Sequence, residues 1–140
     1  MSTIQKFEEI VSWQEARILN QEMGKLIDTE RFSKNFRLIA QIEGSAGSIM
    51  ENIAEGFERG GNKEFLQFLY IAKGSCGELR SQLYRALDRN YIDEMEFEKY
   101  STHTKKINFL IQKLIAYLSS SPIKGVKYKG REWQKQKQIR

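Results

Sequence analysis

The sequence predicts an all-α fold, an antiparallel up-down-up-down four-helix bundle with a left-handed twist, and three observations carry that prediction. Apolar residues recur in steps of three and four through four long stretches, the spacing that gathers them on one face of a helix. The breaks between the stretches are short, and polar or glycine-rich. The single proline, Pro122, falls after the last stretch rather than inside one. Residues 1–121 are therefore expected to form the bundle and residues 122–140 a separate basic tail.

The first helix is expected to start within Ile4 to Phe7, where Ser2 and Gln5 are spaced like a weak capping box. Its inward stripe is Trp13, Ala16, Leu19, Met23, Leu26 and Ile27. Its outer face is acidic, with Glu8, Glu9, Glu15, Glu22 and Asp28 against Arg17 and Lys25. Thr29 to Asn35 is polar and breaks the period, so it reads as a loop, with Ser33 or Asn35 capping the next helix. The second helix carries its stripe on Ile39, Ile42, Ala46, Ile49, Ile53 and Phe57, and beside it runs a smaller, polar line of Ser45, Ser48, Asn52 and Glu55. Gly60-Gly61-Asn62 ends it.

The third helix, about Lys63 to Asn90, has no clean polar face at its start, because Phe65, Leu66, Phe68, Leu69, Tyr70 and Ile71 run nearly all the way round. A stripe of about 100° or somewhat more suffices inside a four-helix monomer. The surplus points to a further partner, most simply another copy of the chain. Leu79, Leu83 and Ala86 continue the core stripe, while Arg80, Arg85 and Arg89 face elsewhere. In the fourth helix Asp93 and Glu96 are spaced as a capping box, and the stripe runs Phe97, Tyr100, Thr104, Ile107, Ile111, Leu114, Leu118. Ser119-Ser120-Ser121-Pro122 closes it.

Gly44-Ser45-Ala46-Gly47 recurs as Gly74-Ser75-Cys76-Gly77. Folding the chain back at Gly60 levels residues whose numbers sum to about 121, so Gly44 meets Gly77 and Gly47 meets Gly74. Each mid-helix glycine costs roughly 0.5–1 kcal/mol relative to alanine. Four at one height therefore predict a close approach of backbones, and leucine at Gly47 or Gly74 should splay the bundle at a cost of about 1–3 kcal/mol. Ser48, Asn52, Glu55 and Arg59, opposite Ser75 and Glu78, are expected to form a polar network that sets helix register; a ligand site is the alternative reading of the same residues.

Charge is unevenly distributed. Residues 122–140 hold Lys124, Lys127, Lys129, Arg131, Lys135, Lys137 and Arg140 against Glu132, a net of +6. Subtracting these from the 23 basic and 18 acidic residues of the chain leaves 16 and 17 in residues 1–121, a net of −1. The tail interleaves its cations with Tyr128 and Trp133, a composition suited to neutralising phosphates and stacking exposed bases. A solvated tail with incidental charge is the plainer reading.

Enzyme motifs are absent. A di-iron bundle needs Glu-x-x-His on two helices, yet His103 is the only histidine and Tyr100 stands three residues before it. His103 is expected to face solvent or an interface. Cys76 reads as a small buried thiol rather than a nucleophile. Gly56 to Lys63 departs from a P-loop, since Asn62 separates the last glycine from the lysine and no strand precedes. No catalytic, cofactor-binding or metal site is expected. No run reaches the ~18 apolar residues of a membrane span, no signal peptide is evident, and one cysteine fits a reducing, cytoplasmic setting.

SIMENIAEGFER, GSCGELRSQLYRA and FEEIVSWQEA resemble the bacterial four-helix-bundle family encoded in intervening sequences of 23S rRNA genes. The accessory variability determinant protein of diversity-generating retroelements belongs with that family. The resemblance covers about Phe7 to Ser119, with Asn52-Ile53-Ala54-Glu55-Gly56 and Arg59 as its most specific part. It implies a short up-down bundle, homopentameric assembly and no established enzymatic activity. Relatives often carry two basic residues just after the Gln-Ile, where this chain has Glu43 and Gly44, which weakens any nucleic-acid-facing patch there. The resulting expectation is a self-associating scaffold or adaptor. It engages RNA or DNA, and a nucleic-acid-associated protein, through the tail and through Arg80, Arg85 and Arg89, and it has no small-molecule substrate. Five tails would bring thirty positive charges to one assembly, so weak contacts would add through avidity. The rival is a purely protein-binding module that recognises its partner through the near-neutral body. A small-ligand pocket at the glycine waist is the third reading, disfavoured because touching backbones leave no room for one.

Overall fold

In a computed structural model, which describes residues 4–120, the chain forms four α-helices and, among the described residues, no strand. They are α1 (Val11–Ile27), α2 (Phe36–Arg59), α3 (Asn62–Asp88) and α4 (Glu94–Ser120), arranged as a four-helix bundle around one apolar core.

The start of α1 differs from the expected one. A single 3₁₀ turn, Phe7–Glu9, comes first, and Ile10 stays extended before the α-helix begins at Val11. Burial explains the break: Ile4 and Ile10, on either side of the turn, are both sealed in the core. One continuous helix would set two residues six apart about 120° from each other at its 3.6-residue period, too far round for both to face the same core. Phe7 packs edge-on against Trp13, at 5.1 Å between ring centroids. Ser2 lies outside the described residues, and the backbone N–H of Gln5 donates to Glu9 instead. From Ala16 to Ile27 the inward stripe is buried as expected.

The first loop holds a core residue that its polar composition conceals. Phe32 is fully buried and packs at 5.0 Å against Tyr91, and Ser33 takes a positive φ of 44° to turn the chain after it. Asn35 then caps α2, its side chain accepting from the Leu38 N–H at 3.1 Å.

α2 and α3 form the tightest pair. Gln41 of α2 meets Arg85 of α3 at one end, Ser48 meets Ser75 midway, and Gly56 meets Phe65 and Phe68 at the other. The two helices therefore run in opposite directions, joined by Gly60 in the left-handed conformation (φ 93°). The close approach is at Gly56, not at the four glycines singled out by repetition. A Cβ at Gly56 would stand 2.7 Å from the Phe68 Cβ and 3.0 Å from the Phe65 ring. At Gly44, Gly74 and Gly77 an added methyl meets nothing within 4 Å, and at Gly47 only the flexible end of Glu51. Level height was foreseeable; direction was not. Gly44, Gly74 and Gly77 point outward, and the buried members of the repeat are Ser45, Ala46, Ser75 and Cys76.

α4 opens with the expected capping box. The Glu96 N–H donates to Asp93 Oδ1 at 2.8 Å, and the Asp93 N–H donates back to Glu96 Oε1 at 3.0 Å. Glu96 also accepts two bonds from Arg31, at 2.7 and 2.9 Å, tying the α1–α2 loop to the start of α4. Arg31 is the main reason that the Glu96 carboxyl is held below the ordinary glutamate range, with partial burial opposing it and the Asp93 N–H assisting.

Gly56→Ala should destabilise the protein by about 1–3 kcal/mol, because two backbones must separate to admit the methyl. Gly74→Ala should instead stabilise it by about 0.5–1 kcal/mol; denaturant titration of the two variants reads the contrast. Since the folded-state pKa of Glu96 is depressed, its contribution is present above the unfolded value of about 4.3 and is lost as pH falls below it. The stability gap between wild type and Arg31→Ala, measured by thermal unfolding, should therefore be open at pH 7 and close towards pH 3.

Candidate functional site

The residues expected to form one polar network separate into two groups. Along the α2–α3 seam, Asn52 donates to the Ser48 carbonyl at 2.8 Å and to Ser48 Oγ at 2.9 Å, and Ser75 Oγ donates to Ser48 Oγ at 2.8 Å. These short side chains satisfy one another in the narrow space between two helices, as part-buried polar groups must. At the exposed end, Arg59 pairs with Glu55 at 2.8 Å, approaches Glu64 at 4.0 Å, and lies 5.0 Å over the Phe68 ring. It roofs the aromatic residues that Gly56 admits. Glu78 joins neither group, being exposed and without a hydrogen bond or ion pair among the described residues.

The outer face of α3 is open. Gly74, Gly77 and Ser81 form a shallow strip without side-chain bulk, flanked by Tyr70, Ile71 and Tyr84, which are 57%, 50% and 52% exposed. Only part of the apolar surplus at the start of this helix stays uncovered, since Phe65 and Leu69 enter the core and Phe68 is half-covered against Gly56.

The three arginines do not share an edge. Five residues at 3.6 per turn rotate about 140°, so Arg80 and Arg85 point to different sides. Arg80 is half-buried, with Nε enclosed and unbonded among the described residues. Arg85 is exposed but donates to Gln41 Oε1 at 2.5 Å. Arg89 is exposed at the C-cap of α3. Lys124, Lys127, Tyr128, Lys129, Arg131, Trp133, Lys135, Lys137 and Arg140 lie outside the described residues.

One cluster escaped sequence reasoning. His103 is turned inward and not to solvent, with Nδ1 3.0 Å from Glu22 and Nε2 2.9 Å from Glu15, while Lys106 stands 3.6 Å from Glu15. Hydrogens on both ring nitrogens satisfy both carboxylates; a neutral ring satisfies one. The clamp joins α4 to α1, and its signal was the seven-residue spacing of Glu15 and Glu22, two turns apart on one face. No group of His, Cys, Asp and Glu among the described residues could hold a metal ion. Burial pushes the Cys76 thiol up to about 12, which keeps it protonated and unreactive at neutral pH. No described helix is long and apolar enough to cross a membrane.

Between α1 and α2 a groove of about 390 Å³ opens where Gly24 lies near Gly47. Met23, Ile27 and Met50 line it together with Asn20, Glu43 and Glu51. Gly47 thus helps make a space, where the repeat had suggested that it closed one.

Residues 8–113 match the family described as 23S rRNA-intervening sequence protein. The chain belongs to that family. A protein of unknown function from the S23 ribosomal protein family of Bacteroides thetaiotaomicron has a similar crystal structure. It is 23% identical, with a TM-score of 0.70 over 75% of this chain and 98% of that one. At that identity the likeness speaks for the fold. No curated protein matches the chain. Between Asn52 and Arg59 the structure separates the roles: Gly56 admits α3, Asn52 bonds along the seam, and Glu55 and Arg59 close the exposed end.

His103→Ala should lower stability by about 1 kcal/mol, since it leaves two part-buried carboxylates facing each other with only Lys106 nearby. His103→Gln, which can donate to one of them, should recover part of the loss in the same denaturant titration.

Proposed function

We propose that this intervening-sequence protein is a non-enzymatic, self-associating scaffold. Its copies pair through the outer face of α3, and its basic C-terminal residues contact RNA or DNA. The observation that carries the reading is the exposed Tyr70, Ile71 and Tyr84 around a strip of glycines into which nothing among the described residues packs. An apolar face beside a surface without side-chain bulk suits another helix lying close against it. Homopentameric assembly follows from the family resemblance noted in the sequence, and the likeness to the retroelement accessory protein suggests a nucleic-acid-associated protein as a further partner. The cationic contribution comes chiefly from residues 122–140, with Arg85 and Arg89 at the end of α3; Arg80 is too enclosed to take part. Support for the nucleic-acid contact is the charge separation itself, +6 in the last nineteen residues against −1 in the rest.

Sedimentation of the full chain should show an oligomer, and Tyr70→Lys combined with Tyr84→Lys should dissociate it while leaving the helical signal intact. RNA affinity should fall by about two and a half to three orders of magnitude between 50 and 200 mM salt for about six phosphate contacts per chain. It should be lost on removal of residues 122–140. Salt-independent binding, or undiminished binding by the shortened chain, would favour a protein-recognition module instead.

A further inference from the structure

The groove between α1 and α2 serves neither the packing of the bundle nor the surface proposed for self-association. Its apolar lining comes from Met23, Ile27 and Met50, the first two almost fully buried, and Glu43 and Glu51 line it from α2. Neither carboxylate has an ion-pair partner among the described residues. Two glycines, Gly24 and Gly47, line the groove, and a Cβ at Gly24 would meet nothing among the described residues within 4 Å. Its volume of about 390 Å³ is within the range of clefts that enclose a ring-bearing ligand. An occupant must therefore combine an apolar or aromatic group with flanking cations.

The chain carries such a segment after Ser120, where Lys129, Arg131 and Lys135 flank Trp133. Reach agrees as well. The Asn62 side chain lies 3.5 Å from the Leu118 carbonyl, so α4 ends level with the α2–α3 turn. Glu51 and Glu43 precede Gly60 by nine and seventeen residues, about 14 and 26 Å along α2 at 1.5 Å per residue. Passing round α1 adds roughly 10–20 Å, one to two helix diameters. Trp133 is thirteen residues beyond Ser120, a span of up to about 45 Å when extended.

We propose that the α1–α2 groove receives the C-terminal segment of the same chain, with Trp133 against the half-buried Met50 and Lys129 and Lys135 against Glu43 and Glu51. Methionine offers the ring a polarisable, adaptable surface, and the two carboxylates select a cationic segment over a neutral one. Where those cations also contact nucleic acid, as proposed above, the groove competes for them; the docking does not depend on that contact.

Zero-length carbodiimide cross-linking of the full chain at low salt, followed by peptide mapping, tests this. Mixing isotopically light and heavy chains distinguishes links within a chain from links between chains. Amide links from Lys129 or Lys135 to Glu43 or Glu51 should form within one chain. They should be about fivefold or more above links to Glu58, Glu94 and Glu98, reflecting the raised local concentration of a docked segment. Trp133→Ala should lower them several-fold. Gly24→Leu fills the groove where there is room for the side chain and leaves every carboxylate in place, and it should abolish the preference. Links spread evenly over the exposed acids, links found only between light and heavy chains, or a preference unchanged in both variants would overturn the proposal.

Discussion

The contact on which the bundle depends is the one between the backbone of α2 at Gly56 and the side of α3 at Phe65 and Phe68. Two long helices can lie this close only where one lacks a Cβ, since the nearest carbon of the other is 2.7 Å from where it would stand. That contact fixes the register of the pair. Ser48 then falls opposite Ser75, near enough for hydroxyl to meet hydroxyl, and Gln41 opposite Arg85. The seam is polar where it is narrow and aromatic where it ends. Arg59 covers the aromatic end, using its guanidinium over Phe68 and its charge towards Glu55 and Glu64.

α1 is held by different means. It is the shortest of the four helices, at 17 residues, and a 3₁₀ turn and an extended residue precede it. Polar clamps supplement its core stripe: Glu15 and Glu22 around the part-buried His103, and, at the surface, Arg31 of the following loop on Glu96. Between α1 and α2 the packing leaves an open groove, whereas between α2 and α3 it is closed. The contrast comes from the side chains available. On α2, Gly56 receives a phenylalanine from α3, while Gly47 has no large side chain of α1 to receive, because Gly24 stands nearby.

The molecule thus pairs a near-neutral, tightly joined helical hairpin with an uncovered apolar face and a strongly basic final segment. Chemistry-bearing side chains are spent on structure in the described residues: the thiol is buried, the imidazole is clamped and the best-placed arginines are engaged. Such an arrangement suits holding partners together, which is why assembly and nucleic-acid contact, rather than turnover, are the functions proposed for this member of the 23S rRNA-intervening sequence family.

Much of this was legible in the residues themselves. The four apolar stripes, the Asp93–Glu96 capping box, the Asn35 cap, the Gly60 turn and the charge imbalance are local patterns, read from neighbours within a turn or two. The family was legible as well. What escaped were relations between distant residues. Phe32 hides in a polar loop, and His103 finds two glutamates more than eighty positions away. The repeated glycines share a height without facing one another. Sequence by itself determined which residues are helical and which face of each helix is oily, because both follow from propensity and period. Only the tertiary structure decided which glycine admits a neighbour, because close approach depends on the rotation of one helix against another. A few tens of degrees there separate a buried backbone from one open to water.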